Sequence, residues 1–266
     1  MGWQVLSVFL LTRIFMLAAL GLFPKEANQG SGASSWTFPP QGASVNDGID
    51  PEEFTLHYIT VDQVIRLVCK LGPGALMAKF DVEAAYRNVP VHPSHRVLLG
   101  MKWHDQFYVD LVLPFGLQSA PFIFNSIADM VEWILVNSYQ IPDLLHYLDD
   151  FITAGPAQSL QCAQNFATAL EVCQRLGLPL HPGKCVGPFT VLIVLGIELD
   201  SVYQVARLPQ EKLLLLQNLI GSWLPRKWCN RRELESLIGH LHHAYFPLRV
   251  IASPFCPNMY LVLTIN

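Results

Sequence analysis

The adjacent aspartates Asp149 and Asp150 are the feature that most restricts the fold, because both of their flanks have the composition of buried strands. The segment reads LLHYLDDFITAG from 144 to 155, with an aliphatic and aromatic run before the pair and a β-branched and aromatic run after it. Two such runs separated by a short polar turn predict a β-hairpin. The pattern therefore predicts strands over 144–147 and 151–154, with two carboxylates between them.

Further apolar segments surround this hairpin. Their patterns predict strands over 75–80, 106–113 and 191–199, and amphipathic helices over 119–137 and 159–176. The order strand, helix, hairpin, helix, strand is typical of a split βαβ sheet, antiparallel and with helices on one face. With 266 residues, 52% of them hydrophobic, the chain can bury a core. The predicted fold class is α+β.

The C-terminal third is predicted to be helical and basic. Pro209 opens one helix, and Asn230 with Glu233 three residues later forms a capping box for a helix over 231–243. Residues 206–250 carry seven Lys or Arg against three Glu, a net charge of +4, which leaves −8 elsewhere in a chain of net charge −4. A basic region of this kind favours contact with phosphates. A solvated charged surface is the alternative for any single residue.

The cysteines and the N-terminus indicate an intracellular chain. Six cysteines without a CxxC pair favour reduced thiols, and hence the cytoplasm or nucleus. Histidines at 240, 242 and 243 have no Cys partner at ligand spacing, so we expect a solvated helix face and no zinc site. Residues 1–23 are apolar, but Arg13 at their centre costs about 2.5–3.5 kcal/mol on membrane insertion. We therefore expect a segment foreign to the rest of the chain, with a signal-anchor as the alternative.

A third aspartate, Asp81, ends the predicted strand 75–80 beside the hairpin. Carboxylates buried close together repel each other and resist ionisation unless a cation compensates them. Oxygen ligands suit Mg²⁺, and two such ions about 3.5–4 Å apart are the usual device for in-line nucleotidyl transfer. The alternative is an exposed turn, which the Asp149–Asp150 pair taken alone would favour.

The segment HYLDDF resembles the Y-x-D-D box of reverse transcriptases. Other segments resemble the motifs of that family in the right order. They are KFDVEAAYRNVPVHP at 79–93 for the first carboxylate motif, LPFGLQSAPFIFN at 113–125 for the nucleotide-positioning motif, LGLPLHPGKC at 176–185 for the lysine motif, and VLGIELD at 194–200 for the primer-gripping hairpin.

The polymerase of tyrosine-recombinase retroelements of the DIRS and Ngaro type is the nearest resemblance within that family. It is carried by GASVNDGI at 42–49 and RRELESLIGHLHHA at 231–244. The resemblance implies a right-hand polymerase with a palm, partial fingers and a truncated helical thumb. Its organisation would be an N-terminal segment 1–41, fingers remnant and palm 42–205, a thumb-like region 206–244 and a divergent tail 245–266.

The implied activity is primer extension with dNTPs on an RNA or DNA template, using two Mg²⁺ ions, with Mn²⁺ as the alternative metal. A catalytically impaired remnant that at most binds nucleic acid is the alternative function. At 32–40 the chain reads GASSWTFPP where the resemblance implies a strand with a triphosphate-binding Arg, and we interpret this as a frame slip. No RNase H carboxylate set and no stable protein partner can be assigned.

The resemblance also implies individual roles. Asp81, Asp149 and Asp150 would hold the metals and, with Lys184 as general acid, form the catalytic set. Tyr86 would close the sugar site against a 2′-hydroxyl. For Tyr86 the alternative role is a core aromatic. For Lys184 the alternative is a solvated turn residue. Phe115, Gly116 and Tyr147 complete the implied nucleotide-binding set, and the implied nucleic-acid-binding set is Trp223, Arg226, Lys227, Trp228, Arg231 and Arg232.

Overall fold

The computed structural model describes residues 44–226 and 228–239, together with the backbone of Tyr260 and Leu261. These residues form two compact units. The first unit comprises 44–58 and Val82–Val131, and the second unit comprises Ile59–Asp81 and the residues from Glu132 onward.

Several sequence-based expectations lie outside the described residues. They concern the N-terminal segment 1–41, with Arg13 and the stretch 32–40, and also Lys227, the histidines at 240, 242 and 243, and the tail 245–266. Within the described part of the chain, no helix has both the length and the apolar character needed to cross a bilayer.

The regular elements alternate along the chain. The helices are α1 (Val61–Leu71), α2 (Ala120–Asn137), α3 (Gln161–Arg175), α4 (Gln210–Trp223) and α5 (231–239). The strands are β1 (Leu76–Asp81), β2 (Gly100–Trp103), β3 (Gln106–Val109), β4 (Leu144–Tyr147), β5 (Asp150–Gly155), β6 (Val186–Phe189), β7 (Val191–Val194), β8 (Ile197–Asp200), β9 (Val205–Arg207) and β10 (Tyr260–Leu261).

The central sheet of the second unit has the order β4-β5-β1-β6, and all of its neighbouring strands are antiparallel. The predicted hairpin is confirmed as β4 and β5, joined by a turn of two residues between Tyr147 and Asp150. Strand β1 lies beside β5, so that Asp81 is paired with Asp150. The fold class is α+β, as predicted, with antiparallel sheets and helices.

Helix α3 packs on the face of this sheet that carries Phe80, whose ring stacks on Phe151 at 4.9 Å and lies 6.4 Å from Phe166 of α3. This is the helix-covered face expected from the sequence. The other face is also covered, because Met77 and Ile152 belong to the core in which α1 is buried. Because side chains alternate between the two faces of a strand, Met77 and Phe80 lie on opposite faces of the sheet.

Helix α1 was not predicted, although its signals are present in the sequence. Its buried residues are Val61, Val64, Ile65 and Val68, which follow the spacing of one helix face. Thr60 and Gln63 form a capping box at its start, and Gly72 ends it with a φ of +86°.

The prediction of one strand over 191–199 is wrong. The segment forms two antiparallel strands, β7 and β8, with Val194 paired to Ile197. The two residues between them, Leu195 and Gly196, have φ angles of +47° and +81°. Positive φ angles at both central positions are typical of tight hairpin turns, and the apolar run conceals this turn except at Gly196.

In the first unit, β3 ends at Val109, earlier than the predicted 113. Strand β2 begins at Gly100, which pairs with Val109, and the next residue, Asp110, forms a buried ion pair with Arg87. The core of this unit contains Leu99, Leu113, Leu117 and Ala120.

The helical character of the C-terminal region is confirmed for its described part. Helix α4 begins after Pro209. The Asn230–Glu233 capping box forms in both directions, at 2.9 and 3.0 Å, at the start of α5.

Candidate active site

Three aspartates meet at one end of the central sheet. Asp81 is the last residue of β1 and only 3% exposed, and Asp150 is its partner at the start of β5. Asp149 occupies the tight turn, preceded by Leu148 with a φ of +54°. A non-glycine residue in this left-handed region is strained, so the surrounding strands must hold the turn in place. The sheet register therefore brings Asp81 beside the Asp149–Asp150 turn.

The carboxylates of Asp149 and Asp150 are hard to ionise in this position. Burial raises the pKa of Asp149, and the charges of Asp81 and Asp150 add to that rise. Burial also raises the pKa of Asp150, again with a contribution from Asp81, while Lys79 and Lys184 oppose it. The site thus holds more negative charge than its own cations offset.

Lys184 is the nearest counter-ion. Its Nζ donates to Oδ2 of Asp81 at 2.7 Å, and this hydrogen bond raises the pKa of Lys184. The backbone fixes the approach, since the N–H of His181 donates to the carbonyl of Asp81 at 2.9 Å and the N–H of Lys184 to that of His181 at 3.0 Å. The Lys184 side chain is 53% exposed, so its ammonium reaches the carboxylates from the solvent side.

The donor chemistry fits a hard divalent cation. Ionised carboxylate oxygens are the ligands that Mg²⁺ prefers, and a cation would relieve the repulsion that raises the pKa values of Asp149 and Asp150. Among the residues that the structure describes, no three or more His, Cys, Asp or Glu side chains are arranged as ligands of a metal ion. Asp81 is instead bonded to Lys184.

The residues implied in nucleotide binding fall in both units. In the first unit, Tyr86 is half-buried, with its ring 5.4 Å from that of Phe115 and 6.0 Å from that of Phe124. Gly116 has a φ of +87°, a conformation that favours glycine. Tyr147, in the second unit, is paired with Asp150 across the hairpin.

Sequence reasoning missed two residues that bear on these sites. Lys79 precedes Asp81 by two positions, so strand alternation directs both to the same face, a signal present in the sequence. Asn46 holds the turn at Gly116, donating from Nδ2 to the Gly116 carbonyl at 2.9 Å and accepting at Oδ1 from the N–H of Gln118 at 2.9 Å. No local pattern shows this interaction, because the partners are about 70 positions apart.

The described basic residues near α4 and α5 and Trp228 are exposed, Trp223 is half-buried, and some of the arginines are paired. The guanidinium of Arg226 lies 5.1 Å from the ring of Trp223 and 3.4 Å from Glu233. Arg231 pairs with Glu235 at 2.7 Å, although its side chain is 91% exposed. Trp228 is 86% exposed, and Arg232 is also exposed. Ion pairs at this exposure are weak and leave the arginines available to a ligand.

Known proteins with similar sequences are viral polyproteins. Polyprotein P3 of Commelina yellow mottle virus is 26% identical over 145 residues, which make up 53% of this chain and 7% of the polyprotein. The enzymatic polyprotein of Cestrum yellow leaf curling virus is 24% identical over 180 residues, 66% of this chain and 26% of the polyprotein.

Solved structures of the foamy viral protease-reverse transcriptase have a similar fold. The complex with an RNA/DNA hybrid superposes with a TM-score of 0.55 at 18% identity, covering 68% of this chain and 22% of that one. A complex with double-stranded DNA gives 0.56 at 18% identity, covering 76% and 32%. The chain thus spans less than a third of the viral proteins it matches.

The family model described as reverse transcriptase (RNA-dependent DNA polymerase) matches residues 31–199. This match covers more than half of the chain and contains Asp81, Asp149, Asp150 and Lys184. The chain belongs to the reverse transcriptase family.

Proposed function

We propose that this chain is an RNA-directed DNA polymerase, which adds dNTPs to the 3′-hydroxyl of a primer on an RNA or DNA template. The observation that carries the proposal is the pairing of Asp81 with Asp150 at the sheet end, with Asp149 in the adjoining turn and Lys184 bonded to Asp81. Three carboxylates and one cation at one point of a reverse transcriptase fold are the groups that nucleotidyl transfer needs.

In this proposal Asp81, Asp149 and Asp150 of the palm hold two divalent ions, Mg²⁺ or Mn²⁺. When bound, the ions supply Lewis-acid activation of the primer hydroxyl and charge neutralisation at the phosphates. The carboxylates are pre-positioned by β1 and the β4–β5 turn. Lys184 would donate a proton to the pyrophosphate leaving group, and the support for this role is its hydrogen bond to Asp81, which raises its pKa.

In the first unit, Tyr86 and Phe115 would contact the sugar of the incoming nucleotide. The Tyr86 ring packs against the ring of Phe115. The 2′-hydroxyl of a ribonucleotide would collide with the Tyr86 ring. Gly116, whose turn is held by Asn46, lets the backbone approach the nucleotide without a Cβ in between. In the second unit, Tyr147 precedes the Asp149–Asp150 turn and is proposed separately as a nucleotide contact.

The template and primer would be held by basic and aromatic residues between Trp223 and Arg232, of which Arg226, Trp228, Arg231 and Arg232 are exposed. Guanidinium groups neutralise phosphates, and Trp223 and Trp228 offer flat surfaces for stacking. We also propose a relationship to the DIRS and Ngaro type of retroelement. Its support is GASVNDGI at 42–49, whose Asn46 holds the Gly116 turn, and RRELESLIGHLHHA at 231–244, whose start forms the observed capping box.

Primer extension by the full 266-residue chain tests the activity. Purified wild-type protein, with a primed RNA template, dNTPs and Mg²⁺, should extend the primer, and an Asp149→Ala, Asp150→Ala double variant should not. Glu171→Gln, a change at an exposed acid on α3, should extend as the wild type does. Equal extension by the wild type and the double variant, or none by either, would remove the assignment.

A further inference from the structure

A buried ion pair in the first unit joins Arg87 to Asp110. The distance from Arg87 Nη1 to Asp110 Oδ1 is 2.6 Å, and the two side chains are 2% and 1% exposed. Burying two charges costs free energy, and a protein with well-packed apolar residues in place of such a pair is often equally stable. A pair of this kind is therefore poorly explained by stability alone and points to a requirement for defined geometry.

The pair connects the two segments that carry the aromatic packing of Tyr86 on Phe115. Arg87 directly follows Tyr86 in the short helical turn Ala85–Asn88, and Asp110 directly follows β3 on the way to Phe115. Beyond the pair the segments run side by side. The N–H of Val91 donates to the Leu111 carbonyl at 2.9 Å, and the N–H of Leu113 to the Val89 carbonyl at 2.9 Å.

The turn that carries Tyr86 also needs support. It begins at Ala84, whose φ of +51° is in the left-handed region, and the N–H of Arg87 donates to the Ala84 carbonyl at 2.6 Å. A non-glycine residue stays in that region only when its surroundings fix it there. The Arg87 guanidinium anchors this turn to the carboxylate of Asp110. Because the guanidinium is planar, this contact restricts the orientation of the turn more than an apolar side chain would.

We propose that Arg87 and Asp110 are positioning residues, which hold the ring of Tyr86 at a fixed depth against Phe115 and thereby set the preference for deoxynucleotides over ribonucleotides. This inference rests on the proposed polymerase function. Arg87 acts through the backbone of Tyr86 and needs no contact with the nucleotide. Removal of the pair should let the ring move, so that a 2′-hydroxyl is excluded less strictly.

The test replaces the pair by apolar residues of similar size, Arg87→Met with Asp110→Leu, in the full chain. This double variant should fold, because no unpaired charge remains buried. Its kcat/KM with dNTPs should stay within a few-fold of the wild-type value, and its kcat/KM ratio for dNTP over rNTP should fall by about ten-fold or more. Arg87→Lys, which keeps the charge and removes the fork, should give an intermediate ratio.

A matched control is Phe54→Leu, which disturbs the edge-on packing between Phe54 and Phe122 in the same unit without touching Tyr86. It should lower the melting temperature and leave the nucleotide ratio unchanged. If Phe54→Leu lowers the ratio as much as the double variant does, general loosening of the first unit explains the effect and the proposal fails.

A second measurement does not depend on activity. In protein labelled with 3-fluorotyrosine, Tyr86→Phe identifies the Tyr86 signal among the eight tyrosines. In the Arg87→Met, Asp110→Leu variant this ¹⁹F signal should shift or broaden, while the others stay in place. If the wild-type chain extends no primer, the proposed function fails and the ¹⁹F signal alone still decides whether the pair positions Tyr86. An unchanged signal, an unchanged nucleotide ratio in an active variant, or a double variant that does not fold would each overturn the inference.

Discussion

The ammonium of Lys79 on β1 donates a hydrogen bond to the backbone carbonyl of Ile193 on β7, at 2.9 Å. This bond ties the strand that ends in Asp81 to the β7–β8 hairpin. The same cation opposes the rise in the pKa of Asp150. One side chain therefore supports both the hairpin and the carboxylate site.

Lys79→Met should destabilise the chain by about 1–2 kcal/mol, because the Ile193 carbonyl would be left without its charged donor. It should also raise the pKa of Asp150 further. Urea unfolding measures the first effect. Lys102→Met is the control, since Lys102 forms an ion pair with the exposed side chain of Asp105 at 2.7 Å and should cost much less. Equal destabilisation by the two variants would contradict the special role of Lys79.

Gly187→Ala should destabilise the second unit by roughly 2–4 kcal/mol. Gly187 has a φ of +116°, and a Cβ there would lie 2.6 Å from the Cα of Ala78 on the neighbouring strand. Gly221→Ala is a matched control on α4, where an added Cβ meets nothing within 4 Å. Because alanine favours helices, Gly221→Ala should stabilise by about 0.5–1 kcal/mol. Thermal unfolding of both variants checks the opposite signs.

The parts of the fold that the sequence predicted well have strong local signals. The β4–β5 hairpin follows from two apolar runs around a polar pair, and α5 begins where Asn230 and Glu233 form a capping box. The sequence predicted that Asp81 ends a strand beside the hairpin, and the structure adds that β5 is the hairpin strand it pairs with, through Asp150.

The parts that it predicted poorly depend on interactions between distant residues or on concealed turns. The β7–β8 turn lies within an apolar run, where only Gly196 marks a break. Strand β3 ends at Val109 because its partner β2 begins at Gly100, and the Gly116 turn is held by Asn46; neither interaction has a local sequence signature. Helix α1 is only 11 residues long, and its burial comes from packing against strands far along the chain, so its periodicity alone did not lead to a prediction.

The repulsion among the carboxylates should make the metal-free chain less stable at neutral pH. Burial and neighbouring charge raise the folded-state pKa values of Asp149 and Asp150 above the ordinary value of 3.8. The unfolded chain therefore loses these protons at lower pH than the folded chain does. The destabilisation is fully present above the folded pKa values and disappears as the pH falls below 3.8.

Asp149→Asn with Asp150→Asn should accordingly raise the melting temperature in EDTA at neutral pH, and the gain should shrink as the pH is lowered. Mg²⁺ should stabilise the wild type and leave the variant unchanged, because only the wild type offers the ligands. Glu53→Gln with Glu171→Gln removes two exposed acids as a control and should give neither effect. A double Asn variant that melts below the wild type in EDTA would contradict the electrostatic account.

Lys184→Met should strengthen divalent-metal binding while slowing nucleotide addition. Its ammonium competes for Asp81 Oδ2 at 2.7 Å and repels a second cation nearby. Removing one positive charge a few ångströms from the site should tighten Mn²⁺ binding by roughly three- to ten-fold. Titration followed by the electron paramagnetic resonance of free Mn²⁺ measures this in the absence of any turnover. Weaker Mn²⁺ binding by Lys184→Met would indicate that Lys184 organises the carboxylates and does not compete for them.

Replacing Arg231 and Arg232 by Gln should weaken binding to primed template in a salt-dependent way. Each phosphate that is no longer neutralised lowers the slope of log K against log salt concentration by about 0.9, so the double variant should lower it by about 1.8. Fluorescence anisotropy at several salt concentrations gives the slope. Lys70→Gln with Arg175→Gln removes the same charge from other parts of the second unit and should leave the slope near the wild-type value.

This pair of substitutions should not unfold α5. Arg231 and Arg232 lie in its first turn, where cations oppose the helix dipole, so their removal relieves an unfavourable interaction. The pair between Arg231 and Glu235 is exposed and contributes little to stability. A fall in affinity would therefore report weaker binding of phosphates and not an unfolded helix. If the slope in Arg231→Gln, Arg232→Gln equals that of the charge-matched control, these arginines form only a solvated helix start, and the nucleic acid must be held elsewhere.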